Sequence, residues 1–312
     1  MVIGCVKEIK NNEYRVGLTP NAAREYAAAG HRVLVQEGAG GGSFITDGEY
    51  VAAGAEIVAD ARRIWDDSDM IVKVKEPLPP EYPLMRAGQI VYTYFHFAAS
   101  EELTNACLDA KITAFAYETM EDEAHTLPLL KPMSEVAGSM APLMGAYYLM
   151  RPYNGRGVLP TGLPGVLPAD VAVIGGGVVG RCAARVAAGL GAKVTILDNN
   201  LRALTDLRNT MPANVFTRYS DSGSISETLR TADIVVGAVL IPGAKTPKLV
   251  KREHLKTMKK GSVIVDVAID QGGCFETSHP TTHDDPVFEV DGVIHYCVAT
   301  CRARTPAPPQ PP

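Results

Sequence analysis

The segment VAVIGGGVVGRCAARVAAGLGAKVTILD, residues 171–198, decides the fold of the second half of the chain. An apolar strand leads into a glycine-rich turn, a helix of small residues follows, and a second strand ends in an acid. In the turn, Gly175 permits a tight bend, Gly177 lets the backbone approach a pyrophosphate, and Gly180 lets the helix sit close to the sheet. The free N–H groups at the start of the helix favour a bound anion. The segment therefore predicts a dinucleotide-binding unit.

Asp198 indicates which dinucleotide is bound. It ends the second strand about twenty residues after the glycine turn, where an acid accepts hydrogen bonds from the ribose hydroxyls. The same negative charge would repel the 2′-phosphate that distinguishes NADP from NAD. We therefore expect NAD as the cofactor.

Length and composition suit a two-domain enzyme that acts on a small metabolite. The chain has 312 residues, of which 46% are hydrophobic and 21% are charged, with a net charge of −5. This length favours two domains of roughly 150 residues each. Since the chain has no lysine- or arginine-rich run, we expect neither nucleic acid nor a membrane surface as a partner.

The six cysteines lie far apart, without the spacing of a zinc site. We therefore expect no metal and a reduced, cytoplasmic protein. The N-terminus lacks the pattern of a signal peptide, and no apolar run approaches the ~18 residues of a spanning helix. We expect no membrane segment.

Strand-like and helix-like segments alternate along the chain, which is typical of parallel α/β sheets. The predicted fold is α/β, with two Rossmann-like domains whose doubly wound sheets are mostly parallel and a cleft between them. We predict a substrate domain over residues 1–133, an NAD-binding domain with six strands over 134–299, and a disordered tail over 300–312. The segment 134–150 reads as a long bridging helix with Ser134 as its N-cap.

Ligands of open α/β sheets bind beyond the carboxyl ends of the strands. Polar residues that follow apolar runs are therefore site candidates. Lys75 follows MIVKV, His96 follows QIVYTYF, and Asp270 follows SVIVDVAI, while Arg15 lies in the loop after the first strand.

Each candidate also has a simpler interpretation. A lone histidine such as His96 more often packs or is solvated than catalyses. Lys75 could lie on an exposed strand face, and Arg15 could merely pair with Glu13. Asp270 is the strongest candidate, because the glycines that follow it offer no helix for it to cap.

Several blocks of the sequence, in this order, resemble the alanine dehydrogenase family: KEIKNNEYRVGLTP, VKVKEP, PMSEVAG, GRGVLPTGLPGV, GAVLIPGAKTPKLV and DVAIDQGGCFETSHPTTHDDP. The resemblance covers residues 1 to about 299. It implies an NAD-dependent, reversible oxidative deamination of L-alanine to pyruvate and ammonia.

The resemblance also implies residue roles. Arg15 and Lys75 would bind the substrate, His96 would act on its reacting nitrogen or oxygen, and Asp270 would assist water. The implied cofactor contacts are Ser134, Gly175, Gly177, Val178, Gly180, Asp198, Ser220, Val239, Leu240, Val267, Ala268, Ile269 and Asp270. A homohexamer is implied as well.

The chain departs from the family pattern after Ala299, where Thr300, Cys301 and Arg302 lead into a proline-rich tail. We interpret this as a truncated or frame-shifted end. Two alternatives stay open: the NAD(H)-binding subunit of proton-translocating transhydrogenase, which shares the two-domain plan, and an NAD-binding remnant with impaired catalysis.

Overall fold

The computed structural model of the chain describes residues 1–97, 100–239 and 246–298. Within these ranges the chain forms two compact units, a first unit of residues 1–130 and a second unit that begins at Lys131. Each has its own sheet, and the α/β class predicted for both is confirmed.

The first unit contains a sheet whose described strands are all parallel, in the order β3-β2-β1-β4-β5-β6. Its helices and strands are β1 (Val2–Cys5), α1 (Pro20–Ala28), β2 (Arg32–Gln36), α2 (Asp47–Ala52), β3 (Glu56–Val58), α3 (Ala61–Asp67), β4 (Met70–Lys75), β5 (Ile90–Tyr94), α4 (Glu101–Ala110) and β6 (Thr113–Ala116).

The start of α1 and the two apolar clusters on the sheet follow from the residues at these positions. Thr19 accepts a hydrogen bond from the Ala22 N–H, and Pro20 stands at the first helical position of α1. Successive residues of β2 face opposite sides of the sheet, since Leu34 packs in one apolar cluster and Val33 in the other. Both faces of the sheet are therefore buried.

The second unit contains α5 and a sheet in the order β12-β13-β11-β10-β7-β8-β9. Its helices and strands are α5 (Lys131–Tyr148), β7 (Asp170–Ile174), α6 (Val178–Gly189), β8 (Lys193–Asp198), α7 (Leu201–Thr210), β9 (Val215–Tyr219), α8 (Ser222–Thr231), β10 (Ile234–Gly237), α9 (Arg252–Leu255), β11 (Val263–Asp266), β12 (Val287–Val290) and β13 (Val293–Tyr296). The strand–turn–helix–strand prediction for residues 171–198 is confirmed.

The prediction of six strands in this sheet was wrong, because seven strands lie within the described residues. The additional strand, β12, pairs antiparallel with β13 at the sheet edge. Asp291 and Gly292 join the two strands with φ values of 52° and 80°. Two successive positive φ values suit the tight turn of a hairpin.

The prediction that Ser134 caps the bridging helix was also wrong. Helix α5 begins at Lys131, so Ser134 lies inside its first turns. Pro132 occupies the second helical position, where a missing N–H costs nothing because the first N–H groups of a helix have no partner within it.

Among the residues that the structure describes, no helix is long and apolar enough to cross a membrane. The described cysteines, Cys5, Cys107, Cys182, Cys274 and Cys297, are free thiols. The predicted cofactor contact Leu240 and the predicted disordered tail 300–312 lie outside the described residues.

Candidate functional site

The glycine turn after β7 has the geometry that the sequence predicts. Gly175 has a φ of 104°, and a Cβ there would lie 2.7 Å from the carbonyl oxygen of Ala238. A Cβ on Gly180 would overlap the carbonyl oxygen of Gly175, so the start of α6 packs directly on the turn. Both positions therefore require glycine.

Asp198 organises the neighbouring strand ends. Its Oδ2 accepts a 2.6 Å hydrogen bond from the Gly176 N–H, and its Oδ1 accepts a 2.7 Å bond from the Asn200 N–H. The Ser220 N–H donates to the Asp198 carbonyl oxygen at 2.9 Å. These contacts bring Asp198 and Ser220 together beside the glycine turn.

Other predicted cofactor contacts lie around the same turn. Val178 begins α6 and is partly exposed. Val239 follows β10, which pairs with β7. Ser134 lies one turn before Gly138 on α5, and a Cβ on Gly138 would overlap the carbonyl oxygen of Val179.

The sequence predicts Asp270 directly after a strand, but the structure places it in a short helix that follows β11. Strand β11 ends at Asp266, and residues Val267–Gln271 form a short 3-10 helix. Within it, Ala268 and Ile269 are buried, Val267 is half-buried and Asp270 is exposed. Residue 270 thus lies one helical turn beyond the strand end, with its side chain open to solvent.

The acid at the strand end itself is Asp266, which was not predicted as a site residue. It is 2% exposed, and a Cβ on Gly273 would overlap its carboxylate. Burial raises the pKa of Asp266, although a hydrogen bond with Ser278 counteracts this. It anchors the loop that follows Asp270, since Cys274 N–H lies 3.4 Å from its Oδ1.

The residues of the second unit fit a dinucleotide. Gly177 is the N-cap of α6 and makes no side-chain cap hydrogen bond. A Cβ at Gly177 would have nothing within 4 Å, so the space in front of the helix is open among the described atoms. An open helix N-terminus beside a strand-end acid is the arrangement that receives a pyrophosphate and its ribose.

In the first unit, Arg15 makes the ion pair with Glu13 that the sequence left open. Its Nε lies 2.7 Å from Glu13 Oε1 and its Nη2 lies 2.5 Å from Glu13 Oε2. The Glu13 carboxylate therefore shows that this guanidinium can receive a planar carboxylate through two parallel bonds.

Lys75 is the last residue of β4, and it is only 3% exposed. The interpretation as a residue on an exposed strand face is therefore wrong. The loop that carries Arg15 packs against the same strand, because a Cβ on Gly17 would lie 2.7 Å from the Val72 carbonyl oxygen. Arg15 and Lys75 thus belong to neighbouring segments.

His96 follows β5, the strand beside β4, and has a φ of 53°. Its N–H donates a 2.6 Å hydrogen bond to Glu118 Oε1, and its ring stacks on Tyr94 with centroids 6.2 Å apart. Burial raises the pKa of Tyr94 to about 12, although the charge of Arg15 counteracts the rise. Tyr94 therefore connects the surroundings of Arg15 and His96.

Glu8, Glu118 and Asp266 were not predicted from the sequence as parts of these sites. Glu8 lies 67 residues from Lys75, and Glu118 lies 22 residues from His96. No local spacing marks such pairs. Only the topology, which sets the ends of neighbouring strands side by side, would have indicated them.

Comparison with known proteins gives consistent similarities for both units. Residues 4–137 match the family model described as "Alanine dehydrogenase/PNT, N-terminal domain", and residues 141–308 match its C-terminal counterpart. The chain is 52% identical over 306 residues to an alanine dehydrogenase of Mycolicibacterium smegmatis, which covers 98% of this chain and 82% of the relative.

Two solved structures are similar to this chain. An L-alanine dehydrogenase matches with a TM-score of 0.90 and 49% identity, covering 96% of this chain and 82% of the other. A transhydrogenase from Sinorhizobium meliloti matches with a TM-score of 0.81 and 31% identity, covering 96% and 86%.

Proposed function

Because this chain belongs to the alanine dehydrogenase/PNT family, we propose that it catalyses the NAD-dependent, reversible oxidative deamination of L-alanine to pyruvate and ammonia. The observation that carries this proposal is the 52% identity to an alanine dehydrogenase over 98% of the chain. A glycine turn and an acid that fit NAD support it. The identity to the transhydrogenase structure is lower, at 31%.

Arg15 and Lys75 bind the substrate in this proposal. The guanidinium of Arg15 receives the alanine carboxylate through a fork of N–H donors, as it receives the carboxylate of Glu13. The ammonium of Lys75 lies at the end of β4 and binds the carboxylate or carbonyl region. Together they fix the orientation of a small zwitterion.

His96 and Asp270 act on protons. The imidazole of His96 takes a proton from the substrate nitrogen or returns one to the carbonyl oxygen, the general acid–base role that histidine most often fills. Asp270 orients the water that adds to the imine and accepts its proton. The solvent exposure of Asp270 leaves its carboxylate accessible to water.

The cofactor is held by the second unit, within the domain that we assign to residues 134–299. Bound NAD supplies the hydride acceptor for the Cα hydrogen. The turn residues Gly175, Gly177 and Gly180 receive the pyrophosphate, and Asp198 binds the adenosine ribose. The remaining proposed contacts are Ser134, Val178, Ser220, Val239, Leu240, Val267, Ala268, Ile269 and Asp270.

We assign the substrate role to residues 1–133, and propose a cytoplasmic homohexamer that needs neither nucleic acid nor membrane as a partner. The free thiols of the described cysteines suit a reducing compartment. The hexamer rests on resemblance to the family.

A spectrophotometric assay of the purified full-length chain tests the function. NADH formation at alkaline pH is measured with L-alanine and NAD, and NADH consumption is measured with pyruvate and ammonium. We expect both reactions to depend on every component. Retained NADH binding without turnover in either direction would instead favour the transhydrogenase-like or impaired alternative.

A further inference from the structure

A buried cluster of three charges lies beside the proposed substrate residue Lys75. The Nζ of Lys73 is 2.7 Å from Glu81 Oε1 and 3.4 Å from Glu8 Oε2, and its side chain is fully buried. Burial favours neutral Lys73, but the two carboxylates outweigh it and raise the pKa of Lys73. One ammonium thus stands between two acids.

Glu8 contacts Lys73 through Oε2, whereas its other carboxylate oxygen binds backbone N–H groups. Its Oε1 accepts a 2.6 Å hydrogen bond from the Val74 N–H and lies 3.2 Å from the Lys75 N–H. The Oε2 of Glu81 instead accepts a 2.9 Å hydrogen bond from the Leu78 N–H, in the loop after β4. Glu8 therefore links the charge cluster to the backbone of Lys75, the proposed substrate ligand.

The strand is irregular at this point. Val72 is opposite Tyr92, whereas Lys75 is opposite Tyr94, so β4 contains one residue more than β5 between these pairs. A bulge of this kind interrupts the ladder and leaves a backbone group without its regular partner. Glu8 supplies an acceptor within that interval.

We propose that Glu8 is a positioning residue for Lys75, holding the end of β4 through its two backbone hydrogen bonds while Lys73 and Glu81 keep its carboxylate in place. The proposal rests on the proposed function, because Lys75 matters only if it binds the substrate. It assigns no contact between Glu8 and the substrate. A displacement of the lysine by about 1 Å would lower the reaction rate by as much as 10²-fold.

The test compares substitutions that separate the backbone bonds from the ion pair. Glu8→Leu removes the acceptor, although Lys73 keeps its partner Glu81. Glu8→Gln keeps an oxygen acceptor and loses only the charge. Glu81→Gln is the matched control, since it weakens the same ion pair but leaves the Val74 and Lys75 N–H groups bonded.

Steady-state kinetics with pyruvate, ammonium and NADH give the first measurement. For Glu8→Leu we expect the KM for pyruvate to rise about tenfold or more, in line with the cost of misplacing a binding group. The Kd for NADH, from fluorescence titration, should stay within about twofold of the wild-type value, since the proposed NADH contacts lie in the second unit. Glu8→Gln should have a KM for pyruvate much closer to the wild-type value than Glu8→Leu has. Glu81→Gln should have a KM near the wild-type value.

Amide hydrogen exchange of the full-length chain gives a second measurement that does not depend on activity. The amides of residues 74 and 75 should exchange much faster in Glu8→Leu than in the wild type, and no faster in Glu81→Gln. If Glu8→Leu does not fold, Glu8→Asp replaces it, because its shorter side chain keeps the charge but withdraws it from both N–H groups.

Unchanged exchange and unchanged KM in the folded Glu8 variant would overturn the proposal, as would an equal rise of KM in Glu81→Gln. A wild-type chain without any alanine dehydrogenase activity would refute the proposed function instead. In that case the exchange comparison would still decide whether Glu8 holds the Lys75 backbone.

Discussion

The N–H of His96 donates a 2.6 Å hydrogen bond to Glu118 Oε1, and this bond holds a histidine whose φ is 53°. Non-glycine residues rarely adopt the left-handed region, where such a conformation costs about 1–3 kcal/mol. The two residues follow the neighbouring strands β5 and β6. The hydrogen bond to Glu118 stabilises this unfavourable backbone conformation, which places the imidazole of His96 at the end of β5.

Two substitutions of His96 should separate its conformational and chemical roles. His96→Asn and His96→Val should both lower kcat by about 10²-fold or more, because the proton-transferring group is gone. Since asparagine tolerates positive φ and valine does not, His96→Val should also lower the free energy of unfolding by about 1–2 kcal/mol relative to His96→Asn. Equal thermal stability of the two variants would show that this φ imposes no strain.

The charge of Asp198 should set the preference for NAD. Asp198→Asn keeps an oxygen that can accept from the Gly176 N–H but removes the charge that repels a 2′-phosphate. We expect the ratio of kcat/KM with NAD to that with NADP to fall by about tenfold or more. Asp198→Ala should lower the ratio too and in addition weaken NAD binding. Equal use of both cofactors by the wild-type chain would contradict this account.

Asp270→Asn should lower turnover and leave cofactor affinity nearly unchanged. The loss expected for a general base is about 10²-fold or more in kcat. Because Asp270 is exposed, the melting temperature should stay close to that of the wild type. Asp109→Asn, at an exposed carboxylate on α4, is the matched control and should retain full activity. Parallel loss of NADH binding and rate would make Asp270 primarily a cofactor ligand.

His295 should make the second unit less stable in acid. Its ring lies 2.8 Å from Thr277 Oγ1 and 3.0 Å from the Val293 carbonyl oxygen, and burial lowers its pKa to about 4. Between pH 6.5 and 4 the unfolded chain therefore binds more protons, so the stabilisation present above pH 6.5 is lost as the pH falls. From pH 7 to 5 this loss is about 2 kcal/mol.

His295→Gln isolates that contribution. The variant should be less stable than the wild type at pH 7 but should lose less stability between pH 7 and 5, as calorimetric melting temperatures would show. An equal drop in both proteins would mean that other groups cause the acid sensitivity.

Local sequence signals predicted the parts of the fold that depend on single residues. The turn at Gly175 and the acid at the end of β8 each follow from a residue that few others could replace. The hairpin between β12 and β13 also has such a signal, Asp291-Gly292 between alternating residues, but this hairpin was not among the predicted elements. Helix α5 started earlier than expected, since Pro132 marks a helix start as well as Ser134 does.

The supports of the candidate site could not be predicted in the same way. Lys75 and His96 follow apolar runs, and Arg15 lies in the loop after the first strand, so all three were candidates for a site at the strand ends. The bonds of Glu8 to Lys75 and of Glu118 to His96 depend on which strands are neighbours, and the strand order of a sheet is a tertiary property. The sequence predicted Asp270 but not the buried Asp266, because apolar residues continue past the end of β11 into the 3-10 helix Val267–Gln271.

Deuterium transfer from C2 of L-alanine to NAD tests whether this chain oxidises alanine by hydride transfer. The purified full-length chain is incubated with L-[2-²H]alanine and NAD, and the NADH formed is analysed by mass spectrometry while pyruvate is quantified. We expect each pyruvate to be accompanied by one NADH that carries one deuterium. Pyruvate without NADH, NADH without deuterium, or neither product would contradict it.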